Sequence, residues 1–90
     1  MNPRKLSRLI RRSIEALKVA GYNCSPAQLG PWQIVGLSST DCVLVYISDC
    51  WPVKPWIPDQ LKQVAAPANA KRIIHYWPAR ARLPRVTEIS

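Results

Sequence analysis

Chemistry in this chain has to come from few side chains: five Asp and Glu, three cysteines, one histidine, and thirteen Lys and Arg. Cys24, Cys42, Cys50 and His75 contain enough soft donors for a zinc site on paper, but no CxxC spacing is present. An odd cysteine count leaves one thiol over if any disulfide forms, so the expectation is three small, reduced, mostly buried side chains. The dominant signal is charge. A net charge of +8 and a pI near 10 favour polyanions, because neutralising phosphates releases condensed counterions. The same balance excludes an acidic DNA mimic.

The basic residues fall at the two ends of the chain. Arg4, Arg8, Arg11 and Arg12 lie in the first segment, Lys71 and Arg72 near position 70, and Arg80, Arg82 and Arg85 close to the C-terminus. Asn2-Pro3 is a helix start, and Leu6, Leu9, Ile10, Ile14 and Leu17 recur at helical spacing as its buried stripe. The arginines fall largely outside that stripe, and Gly21 ends the helix. A short strand is expected over Tyr22 to Ser25, with Pro26 and Gly30-Pro31 in a loop. Trp32 to Leu37 and Cys42 to Ser48 are apolar runs joined by a polar turn, which predicts a hairpin covered on both faces.

Trp51 to Pro58 carries three prolines and two tryptophans and reads as an ordered loop. A helix is expected over Asp59 to Ala66, ended by Pro67. A strand follows over Lys71 to Trp77, with Ile73, His75 and Trp77 on one face and Ile74 and Tyr76 on the other. Val86 to Ile89 is a last strand or tail. The order is α-β-β-β-α-β, with Val86 to Ile89 as an optional last strand, in a single α/β (α+β) domain over residues 1–90 with a mixed central sheet flanked by helices. Ninety residues leave no room for two cores. No run approaches the roughly 18–20 apolar residues of a membrane helix, and the basic N-terminus lacks the pattern of a secretory signal. A cytoplasmic protein, nucleoid-associated if it binds DNA, is the expectation.

Several landmarks in this order resemble the small resolvase-like PD-(D/E)XK nucleases of bacteria and phages, which have the restriction-endonuclease-like fold. They are Ala20-Gly21-Tyr22, Gly30-Pro31-Trp32, Val43-Leu44-Val45, Trp51-Pro52, Pro67-Ala68-Asn69-Ala70-Lys71, and Trp77 with Arg80, Arg82 and Pro84. The resemblance implies magnesium held by carboxylates, with a lysine supporting the attacking hydroxide. Those residues do not carry over. Gln33 stands where an Asp follows the Gly-Pro-aromatic step, Tyr46-Ile47-Ser48 where the third strand has acid-x-Lys, and Ile10 where many members have a first-helix Glu. The expectation is therefore a nuclease-like domain with no catalytic or metal-binding residues of the family kind and no cofactor. Magnesium enters only if Asp41 or Asp49 has taken over, with Lys54 the nearest amine in sequence.

Such a domain, of phage or mobile-element type and related to Holliday-junction resolvases, is expected to bind duplex or branched DNA through its basic residues without reading sequence. A second expectation is a protein-interaction module built on Trp51 and Trp56 in the proline-stiffened loop, since tryptophan is a frequent hot-spot residue. Homodimerisation through a strand edge or the first helix is a further expectation. No motif or aromatic platform for RNA is apparent.

Overall fold

The computed structural model describes residues 1–64, Ala66 and residues 69–89. Helix α1 spans Pro3–Val19, strands β1 to β3 Asn23–Leu29, Trp32–Leu37 and Cys42–Ser48, helix α2 Trp56–Gln63, and strands β4 and β5 Ala70–Tyr76 and Arg85–Ile89. The α+β chain forms one five-stranded mixed sheet in the order β1-β2-β3-β4-β5, antiparallel throughout except for the parallel β3–β4 pair.

Local chemistry fixes the ends of α1. The Asn2 side chain accepts from the Lys5 N–H at 2.8 Å, with proline in the first turn. At the other end Gly21 takes φ +97°, and two closing bonds run from Gly21 N–H to the Lys18 carbonyl and from Tyr22 N–H to the Leu17 carbonyl, each 3.0 Å. That paired pattern is a Schellman termination, and its left-handed residue is glycine because a Cβ there is strained.

The sheet separates two apolar clusters. Leu9, Leu17, Ile34, Val43, Val45, Ile47, Ile73 and Trp77 pack on the α1 side, joined by Leu6, Ile10 and Ile14. Trp32, Leu44, Leu61 and Ile74 pack on the α2 side. Strand β3 feeds both, which explains its unbroken apolar run. The expected hairpin is present as β2–β3, with paired residues from Ile34↔Val45 to Leu37↔Cys42. Its turn is clasped by Asp41, whose carboxylate accepts from the Ser38 hydroxyl at 2.6 Å and the Tyr22 hydroxyl at 3.1 Å.

Several boundaries differ from the sequence-based expectation. Strand β1 continues through Pro26 to Leu29, with a register shift between those two residues. Proline is tolerated there because β1 is an edge strand whose outer N–H groups need no partner. Helix α2 begins at Trp56 rather than Asp59, so Pro58 lies in its first turn, where its missing N–H costs nothing. The proline loop is correspondingly shorter. The helix closes at Gln63, and Ala65, Pro67 and Ala68 of its expected end lie outside the described residues. The C-terminal segment is a full strand paired with β4.

Candidate functional site

On α1 the charged residues Arg4, Arg8, Arg11, Glu15 and Lys18 follow helical spacing along one line, opposite the buried Leu9, Ser13 and Leu17. Arg4, Arg8 and Arg11 are exposed and together with Pro3 and Ser7 line a shallow groove. None of the three has an ion-pair partner among the described residues. This stripe is the largest uncompensated charge that the fold presents on a single rigid element.

Arg12 is different. Its guanidinium lies 4.5 Å from the Trp77 ring centroid and donates to the Ala81 carbonyl at 2.6 Å. The side chain thus fastens the β4–β5 connection to α1. A consequence is that Arg82 shares a cleft with Arg12, Glu15 and Val19. Arg80 and Arg82, which flank the anchored Ala81, are both exposed. Arg82 of the C-terminal cluster and Arg12 of the N-terminal one, far apart in the chain, are therefore neighbours. Arg80 itself has φ +62°.

Lys71 and Arg72 each have a partner elsewhere in the fold. Lys71 Nζ is 3.4 Å from the Asp41 carboxylate. Hydrogen bonds from Ser38 and Tyr22, with the Lys71 ammonium alongside, hold the Asp41 carboxyl below its usual range, while that carboxylate raises the lysine. Arg72 donates to the Val64 carbonyl at 3.1 Å, against α2. Arg72 is thus turned toward α2, whereas the Lys71 side chain stays half exposed beside its partner. Arg85 is exposed on β5, opposite Tyr76.

The positions at which the nuclease resemblance expects acids and a lysine carry local structural roles instead. The Gln33 side-chain oxygen accepts from the Ile47 N–H at 2.7 Å, just beyond the last paired residues of β2 and β3. It supplies the acceptor that the diverging strand withdraws. The Ser48 hydroxyl donates to the Cys50 carbonyl at 2.8 Å and accepts from the Cys50 N–H at 3.2 Å. Tyr46 packs against the α2-side cluster, and burial raises its phenol pKa. Ile10 packs in the α1-side cluster, with the sheet between it and Tyr46.

Asp41 and Asp49 flank β3 at its two ends, roughly 25 Å apart along an extended strand, too far to share one ion. The amine beside Asp49 is Lys5, at 2.9 Å, rather than Lys54. That contact lowers the carboxyl pKa. Cys42 and Cys50 are similarly separated by the length of β3. No group of three or more potential metal ligands exists among the described residues, so Cys24, Cys42, Cys50 and His75 do not form the tetrad that is possible on paper. Burial pushes the Cys24 thiol up.

Two clusters escaped sequence reasoning. Ser13 is fully buried, and its Oγ accepts from the Trp77 indole N–H at 2.8 Å while lying 3.0 Å from His75 Nδ1. A serine at the centre of an apolar helical stripe was the available sign. The second is an aromatic stack of Trp51 on Tyr76, with centroids 5.9 Å apart and planes at 29°. Nothing in local sequence pairs those residues. His75 also contributes to the floor of an apolar groove of about 520 Å³ between the end of α1 and strands β4 and β5, with Lys71 and Glu88 among its lining residues.

No protein-family profile, curated protein or solved structure matches the chain.

Proposed function

We propose that this domain binds DNA without cleaving it, holding phosphates on the outer face of α1 and on the adjoining Arg80–Arg82 turn. The observation that carries the reading is the exposed line of Arg4, Arg8 and Arg11, beside which Arg12 docks the second basic segment. Rigidly spaced guanidinium groups give affinity that is independent of sequence and steeply dependent on salt. The α-β-β-β-α-β order and the sequence landmarks support descent from a PD-(D/E)XK nuclease of restriction-endonuclease-like fold. The use of Gln33 and Ser48 to close strand ends supports loss of that chemistry.

Binding of duplex and four-way DNA, followed by fluorescence anisotropy across a salt series, tests the proposal. A triple Arg4→Ala, Arg8→Ala, Arg11→Ala variant should lower the slope of log affinity against log salt by roughly 2–3, about 0.9 per lost phosphate contact. Equal loss from Lys71→Ala would argue against the stripe, and salt-insensitive or absent binding would sink the reading. The non-catalytic half has its own test. Supercoiled and branched DNA should remain intact with magnesium or manganese, and cleavage abolished by Asp49→Ala would overturn it.

A further inference from the structure

Of the tryptophans, Trp32 and Trp77 are core residues, whereas Trp51 and Trp56 are 47% and 53% exposed. Exposure on this scale means that neither ring is there only to seal the sheet. Trp51 lies over Tyr76, so one indole surface is covered and the ring is held in place, while much of the remainder is open. Pro52 and Pro55 restrict the loop that carries it, which lowers the entropy lost on docking.

The surroundings are cationic. Arg85 is directly opposite Tyr76 in the β4–β5 ladder, so both side chains stand on one face of the sheet as close neighbours. Lys54 Nζ lies 5.3 Å from the Trp56 ring centroid. Neither cation has an ion-pair partner among the described residues. Asp49, two residues before Trp51, is already neutralised by Lys5. The Lys5–Asp49 bridge also fixes where this patch sits. It brings the first turn of α1 to the same end of the sheet as Trp51. Tyr76 and Trp51 are on the α2 face and the stripe is on the outer side of α1, so a ligand that touches both passes round that end.

Aromatic rings among cations suit a single strand, whose bases expose π faces while its phosphates need counter-charge. A duplex keeps those faces inside its own stack and gains nothing from an open indole. We propose that Trp51 is a stacking platform for an unpaired base, and that the preferred ligand is DNA in which a single-stranded segment adjoins a duplex. The arginine stripe holds duplex phosphates, Trp51 takes an unpaired base beyond them, and Arg85 and Lys54 meet the phosphates of the unpaired strand. This inference rests on the phosphate-binding reading of α1.

Three labelled ligands separate the two ideas: a blunt duplex, the same duplex with an oligothymidine tail, and oligothymidine alone. For the unaltered protein the tail should tighten binding and quench tryptophan emission. Trp51→Ala should remove most of that gain, roughly 5- to 100-fold for one stacked base, and abolish the quenching. Its affinity for the blunt duplex should stay unchanged, which also reports that the variant is folded. Trp51→Phe, which keeps an aromatic face, should retain most of the gain. If the tail adds nothing, or Trp51→Ala binds the tailed duplex as tightly as the unaltered protein, the platform is wrong. If blunt duplex fails to bind while the tail-dependent effects persist, the α1 reading alone falls. Absence of binding to all three ligands overturns both.

Discussion

At the scale of single residues, the buried trio of Ser13, His75 and Trp77 joins the helix to the sheet. The indole can only donate, so it occupies a lone pair of Ser13 Oγ. The hydroxyl keeps a second lone pair and its proton, so it can pair with Nδ1 of a neutral imidazole in either tautomer. Burial holds His75 at a pKa of about 4, against 6.5 for the free side chain. The unfolded chain therefore takes up its proton first as pH falls. Stability from this residue is complete above about pH 6.5 and declines between 6.5 and 4, by up to about 3 kcal/mol. Urea midpoints measured across that window should follow the decline, and His75→Asn should flatten it even if it lowers stability at neutral pH. A midpoint unchanged from pH 7 to pH 4.5 would contradict a buried neutral imidazole. Asp41 and Asp49 act in a separate, more acidic window. Their lowered pKa values give stability that is present above the ordinary carboxyl range and lost as pH drops through the folded values.

At the scale of elements, the hairpin depends on a close approach that its sequence conceals. Gly36 on β2 is paired with Cys24 on β1, and a Cβ at this position would meet Cys24 Sγ at 2.6 Å and Val43 Cγ1 at 2.8 Å. Val43 belongs to the central strand, packed from both sides, and has little room to retreat. Gly36→Ala should therefore destabilise the domain by about 1–3 kcal/mol. Adding Cys24→Ala should recover part of that loss, because it removes one of the two obstructing atoms. Chemical denaturation of the singles and the double gives the coupling directly, and strict additivity would mean that the two residues do not touch. The strand was readable from its apolar run and the following turn, and both ends of α1 from Asn2, Pro3 and Gly21. The reach of β1 past Pro26 was not, because proline ends a strand only where its N–H is needed, and edge position is a property of the whole sheet. The early start of α2 at Trp56 was hidden in the same way, since Pro58 is a breaker inside a helix and harmless in its first turn.

At the scale of the whole molecule, an excess of positive charge is visible in composition, but its distribution is not. Sequence treats the nine candidate basic residues alike. Folding assigns Arg12 to Trp77 and Ala81, Lys71 to Asp41, and Arg72 to the Val64 carbonyl, leaving Arg4, Arg8, Arg11, Arg80, Arg82 and Arg85 facing outward. These assignments depend on partners far away in sequence, which no spacing rule reveals. The stripe that remains opposes the stability of its own helix. Arg8 has Arg4 one turn before it and Arg11 and Arg12 one turn after, and like charges at those spacings cost about 0.2–0.5 kcal/mol per pair. Arg8→Glu replaces these repulsions with attractions, so it should raise the denaturation midpoint at low salt by the equivalent of roughly 1–3 kcal/mol, and that gain should fade as salt screens it. The same substitution should weaken DNA binding by more than the loss of one contact, since it sets an anion against phosphate. A variant that is more stable and binds less is the expected outcome, read by urea titration and anisotropy on the same preparation. Unchanged DNA affinity in Arg8→Glu would place the phosphate contacts elsewhere on the surface.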